Sequence, residues 1–161
     1  MTAGDAVRLG VVSDTHGRFD PTIPRLFRGV EAILHAGDIG AMDVIRALEA
    51  IAPVYAVEGN NDSFGRFPEE RVERFAGRRV LLRHIFGELH QLRPAQRAWL
   101  QTGAADVVVF GHSHRPYRAR VGGTLLFNPG SAGPRRFSLP RTVGLLRLGP
   151  GRIDARIVHL D

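Results

Sequence analysis

The chain has 161 residues, 43% of them apolar and 24% charged, a globular balance that excludes disordered, coiled-coil and collagen-like classes and points to one domain over residues 1–161. It holds no Cys, which removes disulfides, thiolate nucleophiles and sulfur-ligated metals, and all 22 basic residues are Arg, which removes a lysine phosphate loop and Schiff-base chemistry. The net charge of +6 is uneven: no Asp or Glu occurs from Val107 to Ile153, a stretch holding Arg115, Arg118, Arg120, Arg135, Arg136, Arg141, Arg147 and Arg152 that should attract anions.

Val7 to Val12 is a short apolar run that stops at Ser13-Asp14, the length of a buried strand. After Pro21, Ile23 to Phe27 has helical spacing. Ala32 to Leu34 is the second strand, Met42 to Leu48 a helix with Met42, Ile45 and Leu48 on one face, and Val54 to Val57 the third strand. Each strand runs into a polar cluster, SDTHG, HAGDIG or EGNND, and this order of strand, loop and helix marks βα units with a largely parallel sheet. Arg79 to Leu82 and Asp106 to Phe110 are further strands, with a helix from Pro94 to Leu100 between them. Thr124 to Phe127, Thr142 to Leu148 and Ile153 to His159 complete the sheet material, and Gly149-Pro150-Gly151 turns the last two into a hairpin. The expected class is α/β: two packed, mixed β-sheets flanked by helices. No apolar run approaches the roughly 20 residues of a membrane span, and the N-terminus lacks a basic segment followed by an apolar one. A cytoplasmic protein without membrane contact is expected.

Open α/β sheets bind ligands beyond the carboxyl ends of their strands. Five segments place metal-ligand residue types there: Asp14 and His16, then Asp38, Asn60, His84, and finally His112 with His114. In Asp-x-His and His-x-His on a turn, the spacing of two lets both side chains aim at one centre. Each short motif is weak alone, whereas donors in five successive strand-end loops form a joint pattern. His35 precedes Gly37-Asp38, and His90 and His159 have no companions, so these three read as structural or surface residues.

The ordered series Asp14-Thr-His16, Gly37-Asp38, Gly59-Asn60, His84 and Gly111-His112-Ser-His114 resembles the calcineurin-like metallophosphoesterase superfamily. Its small bacterial and archaeal phosphodiesterase branch, the YfcE/MJ0936 type, is the nearest in length and in the phrases HAGDIG, GNND and NPGS. The resemblance implies a two-sheet sandwich that hydrolyses phosphate esters by metal-bridged hydroxide attack. It implies two divalent metal ions: one held by Asp14, His16 and His114, the other by Asn60, His84 and His112, with Asp38 bridging. Asp38, Asn60 and His112 are the residues expected to take part in catalysis, and Asp62 and Asn128 to orient the ligands without touching the metals. Oxygen and nitrogen donors suit Mn2+, Zn2+, Fe2+, Ni2+ or Co2+, and the resemblance favours Mn2+.

Two departures qualify the pattern. The superfamily usually has His after Gly-Asn, where it protonates the leaving oxygen; here Asn61 and then Asp62 follow, pointing to a phosphodiesterase more than a monoesterase. His84 is followed by Ile85 where the family has Gly, so His90 competes with His84 for the fourth position. Asn61 and Arg115, which directly follows His114, are expected to bind a small phosphate-ester substrate. The alternatives are a non-catalytic, Vps29-like interaction scaffold and a nuclease using the same metals. Nucleic acid has charge but no motif behind it, and the resemblance allows a homodimer.

Overall fold

Leu9 and Val11 of β1 (Val7–Val12) face one side and Gly10 and Val12 the other, and both sides are covered. This is why the strand reads as an unbroken apolar run and not as an alternation. The computed structural model describes residues 5–161. Residues 1–4, which enter the expectations about a leader and about domain 1–161, lie outside the described residues.

The strands that follow are β2 (Ala32–His35), β3 (Val54–Ala56), β4 (Glu70–Phe75), β5 (Arg78–Arg83), β6 (Val107–Val109), β7 (Tyr117–Val121), β8 (Thr124–Asn128), β9 (Thr142–Gly149) and β10 (Arg152–His159). Among the described residues they form two five-stranded sheets, ordered β10-β9-β1-β2-β3 and β4-β5-β6-β8-β7. β1, β2 and β3 run parallel, with β9 antiparallel to β1 and β10 folded back on β9. In the second sheet β5, β6 and β8 run parallel and the edges β4 and β7 run antiparallel. The sheets are therefore mixed, as expected.

Leu9, Val11, Leu34, Leu82, Val109 and Phe127 fill the space between the sheets. The helices α1 (Ile23–Leu26) and α2 (Met42–Glu49) cover the outer face of the first sheet through Phe27, Ile45 and Leu48. Approach is close enough that a Cβ on Gly10 would lie 2.6 Å from the Phe27 ring, so glycine is required there. The helix α3 (Pro94–Gln101) packs Leu100 against Leu81, Val108 and Phe110 on the outer face of the second sheet. No described helix is long and apolar enough to cross a membrane.

Two strands, β4 (ERVERF) and β7 (YRARV), were not expected from the sequence. Both are sheet edges with one side in water, so charged residues interrupt them and no apolar run marks them. Their two-residue turns, Ala76-Gly77 and Gly122-Gly123, carry the signal instead, the first with φ of 50° and 79°. The β7 residues Arg118 and Arg120 donate to the carbonyls of Ala155 and Ile153 on β10, joining the edges of the two sheets.

The segment between β8 and β9 is held by the buried Arg141, which donates to the carbonyls of Gly133 and Ala132 and to Asp20 and Asp161. Burial opposes ionisation of Asp20, but bonds from Thr22 and from Arg141 outweigh it and hold the carboxyl below its usual range. Asp20→Ala should cost about 3 kcal/mol, at the low end for breaking a buried pair because Arg141 keeps other acceptors. A lowered carboxyl stabilises above its unfolded pKa of about 3.9 and loses that contribution as pH falls through the folded value. Urea unfolding of wild type against Asp20→Asn should thus show a gap at pH 6 that narrows toward pH 3.

Candidate metal centre

The sequence-predicted donors emerge at the carboxyl ends of five strands: Asp14 and His16 after β1, Asp38 after β2, Asn60 after β3, His84 after β5, and His112 and His114 after β6. Seven described non-glycine residues have positive φ, and five of them are donors: Asp14 (54°), His16 (47°), Asp38 (54°), His112 (76°) and His114 (62°). This left-handed turn redirects each side chain from the sheet toward a common point, at a cost of about 1–3 kcal/mol per residue.

Neighbouring groups hold the loops in that conformation. The N–H groups of Asp14, His16 and Gly17 donate to the carbonyls of Gly37, Asp38 and Ile39, extending the β1–β2 pairing into both loops. His35, wholly buried, accepts from the Gly37 N–H at Nδ1 and donates from Nε2 to the Thr15 hydroxyl, and burial lowers its pKa to about 3. It is a neutral tie between loops. Asp62 accepts from the N–H groups of Ile39, Gly40 and Gly59, fastening the second loop to the third. Asn128, also buried, donates to the Gly111 carbonyl and the Ser113 hydroxyl, and Ser131 donates to the Asp14 carbonyl.

Asp14 Oδ1 lies 3.4 Å from His114 Nε2 and 3.7 Å from His84 Nε2, while Asp38 Oδ2 lies 3.4 Å from His84 Nε2 and 3.8 Å from His16 Nε2. Two compact groups result, Asp14-His16-His114 and Asp14-Asp38-His84, sharing Asp14. Asn60 Oδ1 sits 3.2 Å from His112 Nδ1, and the His112 ring stands edge-on to His84 at 5.4 Å. All seven donors are thereby gathered, with Asn60 and His112 on the exposed side. His90 is exposed and pairs with Glu88, so the structure brings His84 and not His90 to the cluster.

The ionisation states suit a cation. His84 Nδ1 donates to the Ala36 carbonyl at 2.7 Å, which leaves Nε2 with a free lone pair aimed at two carboxylates. Burial lowers the pKa of His84 and of His16, and it lowers that of His114 to about 4, so the imidazoles are neutral. Burial raises Asp14 to about 7. Asp38 stays ionised because Asn61, through its backbone N–H and its amide, and His84 together outweigh desolvation. Asp14 Oδ1, His84 Nε2 and His114 Nδ1 are buried without hydrogen-bond partners. Buried orphan atoms of this kind are costly unless another group satisfies them, and divalent cations fit this set of oxygen and nitrogen donors.

Asn61, expected to bind substrate, directs its amide to Asp38 Oδ2 at 2.8 Å. Arg115 is exposed, its N–H donating to the Ser113 hydroxyl. The arginine whose charge acts on Asp14, His16 and His114 is Arg136, in the segment fixed by Arg141. The sequence places Arg136 in the acid-free stretch without distinguishing it, since its approach depends on how that segment folds back.

The family model for the calcineurin-like phosphoesterase superfamily domain matches residues 7–150. A probable metallophosphoesterase of Methanothermobacter thermautotrophicus is 36% identical over 94% of this chain and 91% of its own length. The phosphodiesterase MJ0936 of Methanocaldococcus jannaschii is 26% identical over 87% of this chain and 92% of its own. In fold, Vps29 of Cryptosporidium parvum aligns with a TM-score of 0.76 at 19% identity, covering 98% of this chain and 99% of that one.

A Cβ on Gly59 would lie 2.2 Å from Asp38 Oδ1 and 2.4 Å from the Asp38 backbone nitrogen. Gly59→Ala should therefore push Asp38 out of place and lower bound metal, measured by elemental analysis, while circular dichroism stays that of wild type.

Proposed function

Because the chain belongs to the calcineurin-like phosphoesterase superfamily, we propose that it is a dinuclear-metal phosphodiesterase acting on small phosphate diesters within one domain. The observation that carries this reading is the pair of facing, unpartnered buried atoms Asp14 Oδ1 and His84 Nε2, with His114 Nε2 3.4 Å from the same carboxylate oxygen. In this reading Asp14, His16 and His114 would hold one cation and Asn60, His84 and His112 the other, with Asp38 shared by both. When bound, two divalent cations would neutralise phosphoryl charge and acidify the attacking water. The donors contain no sulfur, and Mn2+ is the ion we assign on family resemblance.

The protein's own residues then define the reaction. Asp38, held ionised by Asn61, offers no proton, and the Asn61 amide cannot supply one. A positioned acid contributes roughly 10²- to 10⁴-fold when an alkoxide leaves, so its lack weighs most on alkyl monoesters. Diesters with activated or cyclic leaving groups need it least. The positive charge of Arg136, which acts on His114, favours an anionic substrate. Retention of all seven donors favours the enzyme over an interaction scaffold of the same fold.

Two measurements test the proposal. Wild type reloaded with Mn2+ should hold roughly two metals per chain by elemental analysis, and Asp38→Asn should lose both metal and turnover. Equal content and kinetics in the two proteins would defeat the dinuclear assignment. Asn61→His should raise kcat/KM on an alkyl monoester relative to a matched diester. A wild type that already prefers the monoester, or a ratio left unchanged, would remove Asn61 as the source of the preference.

A further inference from the structure

A cleft of about 780 Å³ opens where β7, β9 and β10 meet, far from the metal centre. Arg8, at the near end of β1, is one of its walls, and Asp14 follows six residues later, so about 20 Å of strand separates the two places. Six of its thirteen lining residues are Arg, against 22 of 161 in the chain: Arg8, Arg118, Arg120, Arg147, Arg152 and Arg156. Such enrichment exceeds what an Arg-rich composition alone delivers. Asp154 is the one carboxylate in the lining, and Arg152 lies 3.7 Å from it. A second hollow of about 510 Å³ shares Arg120, Arg152 and Asp154 and adds Arg78.

Strand register explains the convergence. Arg8, Arg147 and Asp154 stand opposite one another across β1, β9 and β10. Arg118 and Arg120 reach over from the other sheet and are fixed by their bonds to β10 carbonyls. Each still has donors to spare, because a guanidinium carries five N–H groups. Among the described residues no partner is found for the Arg147 or Arg156 guanidinium, and both side chains are exposed. Leu145, Leu146 and Ile153 are among the apolar residues of the lining.

We propose that this cleft is a binding site for a small oligophosphate anion, a linear chain of two or more phosphate groups, separate from the metal centre. Six guanidiniums against one carboxylate repel one another in the free cleft, and an anion with several negative groups relieves that repulsion. Planar guanidinium forks match phosphate oxygens two at a time. The volume falls within the roughly 300–1,000 Å³ of small-molecule sites, which suits a compact anion.

The full chain as purified is titrated with inorganic tripolyphosphate in a calorimeter at low and at moderate salt. Saturable binding of one tripolyphosphate per chain is expected, weakening as salt screens the guanidiniums. Arg147→Glu combined with Arg156→Glu should lower the affinity at least about tenfold while hydrolysis at the metal centre continues. Asp38→Asn should leave this binding in place. If the double reversal abolishes the thermal unfolding transition, Arg156→Gln alone carries the test, with a loss of about threefold expected. Absence of saturable binding in wild type overturns the proposal, as does binding lost in Asp38→Asn but kept in the arginine variants. Retention of a single-stranded oligonucleotide that tripolyphosphate does not displace overturns it also, in favour of a polymer surface.

Discussion

Buried oxygen and nitrogen atoms that face one another without hydrogen-bond partners set the terms for this molecule. His84 Nε2 is directed at Asp14 Oδ1 and Asp38 Oδ2 while the ring hydrogen is committed to the Ala36 carbonyl. Five donor residues keep a left-handed backbone that free chains avoid. Left alone, such a cluster would spread apart. The surrounding structure therefore has to over-determine it, and buried polar residues do so from several sides. His35 lies between the first two loops, Asn128 beneath the last, and Ser131 on the Asp14 carbonyl.

That requirement explains the parallel pairings at the centre of each sheet. β1, β2 and β3, like β5 and β6, deliver their carboxyl ends side by side, so loops distant in sequence meet at one rim. Hydrogen bonds from Asp14, His16 and Gly17 to the neighbouring loop continue the ladder past the last strand residues. Strain at the rim is offset by two fully packed faces behind it. Edge strands β4, β7 and β10 carry no donors and are free to be charged on the outside.

Charge is divided between two ends of the sandwich. At the rim, carboxylates and neutral imidazoles form an electron-rich pocket, with Arg136 as a cationic neighbour. At the far end, arginines crowd around the meeting of β7 and β10. Opposite polarities in one small fold are held apart by the length of β1, so each can attract its own class of ligand with little mutual screening.

The central strands, the sandwich class and the seven donors were legible in the order of residues alone. Buried parallel strands are continuous apolar runs, and a donor that ends such a run has one place to be, beyond the strand's carboxyl end. The same order marked β4 and β7 only through their turns, because an edge strand with a wet face is interrupted by charges like an ordinary exposed segment. It could not separate Arg136 from its neighbours or assign the Asn61 amide to Asp38. Those facts depend on which loops lie against which. The arginine cleft depends on it further, since β1, β7, β9 and β10 all contribute walls. Local sequence sets each residue's strand and face, whereas contact between residues about a hundred positions apart follows only from how the two sheets stack.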